Sequence, residues 1–279
     1  MCKKWHVVYN DMIVFPNAKI NLGLHITERR ADGYHNLETV FYPLKLQDAL
    51  EVIPAETMSF TSSGIDIPGS ADNNLCLKAY HLLAQDHRLP KVAIHLHKHI
   101  PIGAGLGGGS SDAAFFIKLM NGQFTLGLSA DDMEDYARRL GADCAFFIRN
   151  QPTLAYGIGD QFEQVEVDLS AYKIVLVMPP VHVSTAEAYG GIRPQPAPVA
   201  LKELITKPVA TWKDTLKNDF EDHIFKAYPV IAQAKQELYD AGAVYACMSG
   251  SGASVFGLFE GEIPDLPNLQ KSCKLYYNV

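Results

Sequence analysis

The residues best suited to chemistry are in the stretch Pro101-Ile102-Gly103-Ala104-Gly105-Leu106-Gly107-Gly108-Gly109-Ser110-Ser111-Asp112, where five glycines fall within seven positions. Glycine adopts backbone conformations that other residues resist and lets a ligand approach the main chain. The apolar run Ala113 to Met120 follows at once and is helix-compatible, and Ser110, Ser111 and Asp112 are all residue types that open helices. A glycine loop running into a helix N-terminus presents unpaired N–H groups and the positive end of a dipole, a setting for phosphate. A polar linker would not run straight into Ala-Ala-Phe-Phe-Ile. Three loop types are compared. A P-loop needs Lys and then Ser/Thr after its last glycine, and Gly109 is followed by Ser110, so that type fails. Gly103-x-Gly105-x-x-Gly108 fits the dinucleotide fingerprint, but the acids near the required distance, Asp131 and Asp132, open a helix rather than close a strand. The third type is a kinase loop of glycine and serine without a loop lysine.

Other residues are set in unusual surroundings. Lys19 and Asn21 share the parity opposite to Ala18, Ile20, Leu22, Leu24 and Ile26, so both point to one face of a strand. Lys19 is either a solvated side chain or a functional cation. Asp143 lies between Gly141 and the apolar run Ala145-Phe146-Phe147-Ile148. It is either a cap or turn residue, or a carboxylate paired with a cation such as Lys19, because an unpaired charge there is costly. Asp32-Gly33 marks a tight turn, and Tyr34 and His35 after it offer stacking and hydrogen bonding. His95, His97 and His99 share one strand face, but no carboxylate or cysteine nearby completes a metal set, so a solvated face is the better reading.

The elements that must position these residues follow from periodicity. The pattern predicts strands from Ile13 to Ile26, within Glu38–Val52, and over Lys91–His99. It predicts helices over Asn73–His87, after the glycine loop, and from Ser129 to Leu140 with acids first and Gly141 as the stop. Thr153–Val167 reads as a hairpin and as a domain seam, dividing 12–152 from 153–279. Lys173–Met178 is a buried strand stopped by Pro179-Pro180. Ser184-Thr185-Ala186-Glu187 is a capping-box pattern, with Tyr189 one turn beyond Thr185. Helices are expected near Val199–Ile205, Trp212–Ala227 and Pro229–Ala241. Strands over Ala243–Met248 and Ala253–Phe259 flank the turn Ser249-Gly250-Ser251-Gly252. This order indicates an α+β sandwich. The change of pattern at Met12 leads to the expectation that residues 1–11 are a loosely held extension and Met12 the natural start.

The bulk numbers narrow the function classes. A chain of 279 residues, 48% hydrophobic and 20% charged, suits one large or two modest globular domains. A net charge of −7 argues against a nucleic-acid or anionic-membrane partner, while a nucleotide needs only local positive groups. Five scattered cysteines without a CxxC suggest a reducing, cytoplasmic setting. No apolar run approaches a membrane span, and the first residues lack the apolar core of a signal peptide.

Four segments in order resemble the signatures of the GHMP small-molecule kinases. They are Pro16–Leu22 with Arg30-Ala31-Asp32-Gly33-Tyr34-His35, then Pro101–Ala114, then Gly141-Ala142-Asp143, and finally Met248–Ser254. The resemblance runs from about Met12 to near the C-terminus. Arg30–His35 is the part that resembles the branch acting on a cytidine-diphosphate-linked methylerythritol, as against galactokinase, homoserine kinase or mevalonate kinase. The resemblance implies a two-domain GHMP kinase fold. Its N-terminal ATP domain is like the second domain of ribosomal protein S5, and its C-terminal domain is a ferredoxin-like α/β sandwich. It implies that ATP, with Mg²⁺, phosphorylates the 2-hydroxyl of 4-diphosphocytidyl-2-C-methyl-D-erythritol in non-mevalonate isoprenoid synthesis. It further implies that Lys19 and Asp143 are the catalytic pair. Asn21, Tyr34, His35, Thr185 and Tyr189 would contact the substrate, with Tyr34 and His35 at the cytosine. Lys98 would lie near the adenine, and Pro101–Ser111 would form the ATP loop, with Gly103 to Ser111 cradling the phosphates. The Gly250-Ser251-Gly252 turn would close on the phosphate end, and Ser111 is the nearest hydroxyl for the metal. The chain departs from the common pattern at Cys144-Ala145, where Val-Pro is frequent, and at Asp112, where Asn is frequent. Other readings left open are a different GHMP kinase, a dinucleotide-dependent oxidoreductase and a non-catalytic nucleotide binder.

Overall fold

A computed structural model describes residues 12–279, so the expected extension over 1–11 lies outside the described residues. In chain order the strands are β1 (Ile13–Val14), β2 (Asn17–Arg29), β3 (His35–Gln47), β4 (Ala49–Pro54), β5 (Ser59–Gly64), β6 (Val92–Lys98), β7 (Thr153–Tyr156), β8 (Gln161–Gln164), β9 (Tyr172–Met178), β10 (Tyr245–Met248), β11 (Val255–Glu260) and β12 (Lys274–Tyr277). The α-helices are α1 (Leu75–Asp86), α2 (Gly108–Phe124), α3 (Ala130–Arg138), α4 (Phe146–Arg149), α5 (Thr185–Gly190), α6 (Leu201–Ile205), α7 (Trp212–Thr215), α8 (Glu221–Ala227), α9 (Pro229–Asp240) and α10 (Pro267–Ser272).

Packing groups the chain into two compact units. One takes the described part of Met1–Ala18 with Leu46–Ile102 and Gly107–Asn150. The other takes Lys19–Lys45, Gly103–Leu106 and Gln151–Val279. The packed units are therefore interleaved in sequence, whereas the seam expected at Thr153–Val167 is a single cut.

The first unit is built on a sheet in the order β1-β4-β6-β5, with β5 parallel to β6 and the other pairs antiparallel. In β6 the residues Val92, Ile94, Leu96 and Lys98 share one parity, and all four are buried. The opposite parity carries the histidine row. His95 Nδ1 lies 2.9 Å from Thr61 Oγ1, and Ser63 Oγ lies 3.0 Å from both His95 Nε2 and His97 Nδ1. These rings are therefore engaged by the hydroxyls of β5, their parallel neighbour. Helix α2 packs against α1, α3 and α4 through a buried face that includes Ala113, Phe116, Ile117 and Met120. Its start differs from expectation. Gly107, at φ +68°, is the N-cap and the helix begins at Gly108, so Ser110, Ser111 and Asp112 lie inside its first turns. The left-handed cap is available to glycine, and it moves the helix start back to the loop itself. α3 opens as expected, on a reciprocal capping box between Ser129 and Asp132.

The second unit holds two sheets, β2-β3-β7-β8 and β10-β11-β9-β12. Strand β2 is buried on both faces. Its apolar parity (Ala18, Ile20, Leu22, Leu24, Ile26) is at most 4% exposed, and its polar residues Lys19, Asn21 and His25 are buried as well. Full burial of each Ile or Leu contributes ~1.5–3 kcal/mol. The polar face must then be satisfied internally. A core of Val175, Val177, Ile231, Leu238, Ala246 and Val255 lies between the second sheet and α9. The predicted helix Trp212–Ala227 is broken into α7 and α8, and the physical reason is β2. Leu24 N–H donates to Lys217 O at 2.8 Å, Asp219 N–H donates to Leu24 O at 2.9 Å, and Ile26 N–H donates to Asp219 Oδ2 at 2.7 Å. Residues 217–219 lie alongside a strand, so they cannot also bond helically. Periodicity does not reveal β5, α4, α10 or β12; the last pairs antiparallel with β9.

Candidate active site

The first unit presents the helix end of the glycine loop, Lys98 and Asp143. Gly107–Ser110 open α2 without any side-chain cap, so the terminal N–H groups remain for a ligand. Ser111 is wholly buried, and its Oγ has no hydrogen-bond partner. Pro101 is half-buried and Ile102 exposed at the approach to the loop. Lys98 is buried, and its ammonium is held by Asp48 and by Asp112 Oδ2, the latter at 2.7 Å. Asp48 also accepts the N–H groups of His99 at 2.6 Å and Ile100 at 2.8 Å, fixing the segment that leads into the loop. A side chain at Gly108 would come within 3.0 Å of Lys98 Nζ, so this cluster lies directly beneath the helix start. Three charged groups share the space, two acids and one base. Asp48 is met by three donors and Asp112 by one, and Asp112 Oδ1 is buried without a partner. The Asp112 carboxyl is pushed up to about 7 by burial, which the pull of Lys98 opposes and the charge of Asp48 reinforces. Burial presses the Lys98 ammonium down, but Asp112 and Asp48 more than offset this and raise it. Asp143 lies half-buried in the short 3₁₀ turn Ala142–Cys144, just after Gly141.

The second unit gathers residues far apart in sequence. Lys19, 3% exposed, places Nζ 2.7 Å from Asn21 Oδ1 and 4.7 Å from the centre of the Phe41 ring. Asn21 Nδ2 donates to Thr39 Oγ1 at 2.9 Å, and Thr39 donates to Gly23 O at 2.6 Å. Lys19 N–H donates to Leu106 O at 2.9 Å, tying the strand to the glycine loop. The turn after β10 holds the same loop from the other side. Ser249 Oγ donates to Gly105 O at 2.9 Å and Ser254 Oγ to Ala104 O at 2.6 Å. Gly105 has φ +74°, and a Cβ there would lie 2.0 Å from Ser249 O, so only glycine fits. Gly250 and Gly252 of the turn also have positive φ, and Ser251 is half-buried between them.

The Asp32-Gly33 turn is formed as expected, with Tyr34 N–H donating to Asp32 Oδ1 at 3.0 Å. Tyr34 is 63% exposed. His35 stacks on Tyr189, with ring centroids 5.0 Å apart, and Tyr189 meets Phe220 edge-on at 4.9 Å. Ser184 caps α5, leaving Thr185 exposed at its first position. Glu187 does not close the capping box; its carboxylate accepts from Tyr228 OH at 2.9 Å. Sequence reasoning did not find Asp48, Thr39, Ser249 or Asn218 as partners. Asp48, a lone acid between two apolar strands, was the one visible signal.

Two family models match the chain, "GHMP kinases N terminal domain" over residues 74–151 and "GHMP kinases C terminal" over residues 200–266. The chain belongs to the GHMP kinase family. A relative from Bacteroides fragilis, 56% identical over 90% of this chain and 93% of its own length, is named 4-diphosphocytidyl-2-C-methyl-D-erythritol kinase. A relative from Bacteroides thetaiotaomicron with the same name is also 56% identical, over 90% and 93% of the two chains. Among solved structures, a 4-(cytidine 5'-diphospho)-2C-methyl-D-erythritol kinase superimposes with a TM-score of 0.80 at 31% identity, covering 95% of this chain and 98% of that one.

Proposed function

We propose that this chain transfers the terminal phosphoryl group of ATP to the 2-hydroxyl of 4-diphosphocytidyl-2-C-methyl-D-erythritol, a step in making isoprenoid precursors by the non-mevalonate route. One observation carries the proposal. Lys19 and Asn21, Gly105 and Ser249 come from three distant stretches, and hydrogen bonds join those stretches at the glycine loop. The high identity to relatives of that name supports the choice of substrate.

Phosphoryl transfer depends mostly on positioning and charge neutralisation. The N–H groups of the loop and of the α2 start donate to ATP phosphates. Asp143 orients the acceptor hydroxyl and takes its proton. Lys19, the other member of the proposed catalytic pair, offsets the charge that develops on the transferring group. Asn21 holds the lysine from one side. Lys98, the residue the family resemblance assigns near the adenine, acts from its buried place beneath the helix start by anchoring the strand that enters the loop. Tyr34, His35 and Tyr189 receive the cytosine, His35 and Tyr189 through their stack, and Thr185 contacts the cytidine side. Mg²⁺ bound with ATP would neutralise phosphate charge. Ser111 Oγ, an oxygen buried without a partner, would be its protein contact. In functional terms, residues 12–152 carry the ATP domain and 153–279 the substrate domain, and the enzyme works in the cytoplasm on a small molecule. The test is a substrate comparison. ATP-dependent product should form with the cytidyl substrate and stay at background with mevalonate or homoserine. Preference for either of those acceptors would move the chain to another branch of the family.

A further inference from the structure

Asn218 is 2% exposed and is not among the residues the sequence singled out. Its Nδ2 donates to Met248 O and Gly250 O, each at 2.8 Å, so one amide holds both ends of the entry to the Ser249–Gly252 turn. Its Oδ1 accepts from Phe220 N–H at 3.0 Å. Its backbone forms a parallel bridge with Leu24 of β2. Glu221, three residues on, adds a second tie by accepting from Met248 N–H at 2.9 Å. The turn so fixed carries Ser249, which donates to Gly105 O and lies 3.4 Å from Asn21 Oδ1, the acceptor of the Lys19 ammonium. Every one of these groups belongs to the second unit.

We propose that Asn218 is a positioning residue for phosphoryl transfer: its amide sets the Ser249–Gly252 turn and, through Ser249, the backbone of Gly105 and the Asn21–Lys19 pair. The proposal rests on the kinase reading above. A purely structural asparagine would disturb both substrates alike. Here the two ends of the amide separate the effects. Nδ2 holds the turn whose Ser249 reaches Gly105 and Asn21, while Oδ1 supports Phe220, on which Tyr189 and then His35 pack.

Asn218→Asp uses that separation. It keeps the oxygen that accepts from Phe220 and puts a second oxygen against two carbonyls. Ionised, that oxygen repels both; protonated, it donates to one of them. The experiment compares the full chain, Asn218→Asp and Ser249→Ala in steady-state assays with ATP and the cytidyl substrate between pH 6 and 8. At pH 8, kcat/KM for ATP in Asn218→Asp should fall roughly tenfold or more, the scale of one or two lost buried hydrogen bonds. Relative to wild type, at least about threefold of that loss should return at pH 6, while KM for the cytidyl substrate stays within about twofold. Ser249→Ala, which cuts the link beyond the turn, should weaken the ATP parameters in the same direction without the pH recovery. Parallel losses for both substrates with no recovery at low pH would overturn the proposal, as would unchanged ATP parameters in Ser249→Ala. If Asn218→Asp does not fold, Ser249→Ala decides alone. An inactive wild type would refute the kinase reading only. ATP titration calorimetry on the same proteins then decides, with weaker ATP binding at pH 8 expected for Asn218→Asp and equal affinity contradicting the relay.

Discussion

Lys19 shows how a single side chain changes meaning between sequence and structure. In the sequence it is one lysine on the minor parity of a strand, equally compatible with solvent. In the structure that face is closed, and the ammonium sits against Asn21 and over Phe41. A buried cation so placed needs compensating groups. Lys19→Ala and Asp143→Asn should each lower kcat by at least roughly 100-fold, the scale of acid–base residues, with folding checked by circular dichroism. Near-normal turnover in Asp143→Asn would remove that carboxylate from the reaction. His35 belongs to recognition instead. Its stack on Tyr189 predicts that His35→Ala raises KM for the cytidyl substrate several-fold more than KM for ATP. Equal changes in both constants would place the ring elsewhere in the cycle.

The elements that carry these residues depend on buried charge as much as on apolar packing. Asp112, in the first turns of α2, has a carboxyl pushed up to about 7. Its ordinary value when unfolded is near 4. Between those limits the folded protein binds more protons than the unfolded chain, so stability falls as pH rises from about 4 through about 7. Asp112→Asn removes that slope and leaves Lys98 with Asp48 alone. Its melting temperature should therefore drop less than that of wild type between pH 5 and 8. A drop as steep as wild type's would show that another group carries the titration. Periodicity revealed most of the elements, because alternation in β2 and β6 and the acid-first order of α3 are local signals. What it could not reveal was partnership. The start of α2 shifted to Gly108 because a left-handed glycine caps it, and the helix after Trp212 broke because β2 takes the backbone of residues 217–219. His95 and His97 form a row in sequence, and it is β5, not read as a strand, that occupies them. Each of these outcomes is set by residues distant in the chain.

At the scale of the whole molecule, the α+β class and the two-part architecture follow from the order of elements and from the family signatures. The interleaving of the packed units does not. Residues 19–45 and 103–106 group with 151–279, although sequence order places them before the seam. The glycine loop thus changes unit between Leu106 and Gly107, and its first half is latched by Ser249 and Ser254 from the far end of the chain. No described helix is long and apolar enough to cross a membrane. The account as a whole requires that ATP be consumed only for the sake of the cytidyl acceptor. The direct measurement is ADP release from the purified protein with ATP and Mg²⁺, in the presence and absence of 4-diphosphocytidyl-2-C-methyl-D-erythritol. Release that depends on the acceptor and matches it mole for mole is the predicted result; release at the same rate without the acceptor, or none with it, would contradict the account.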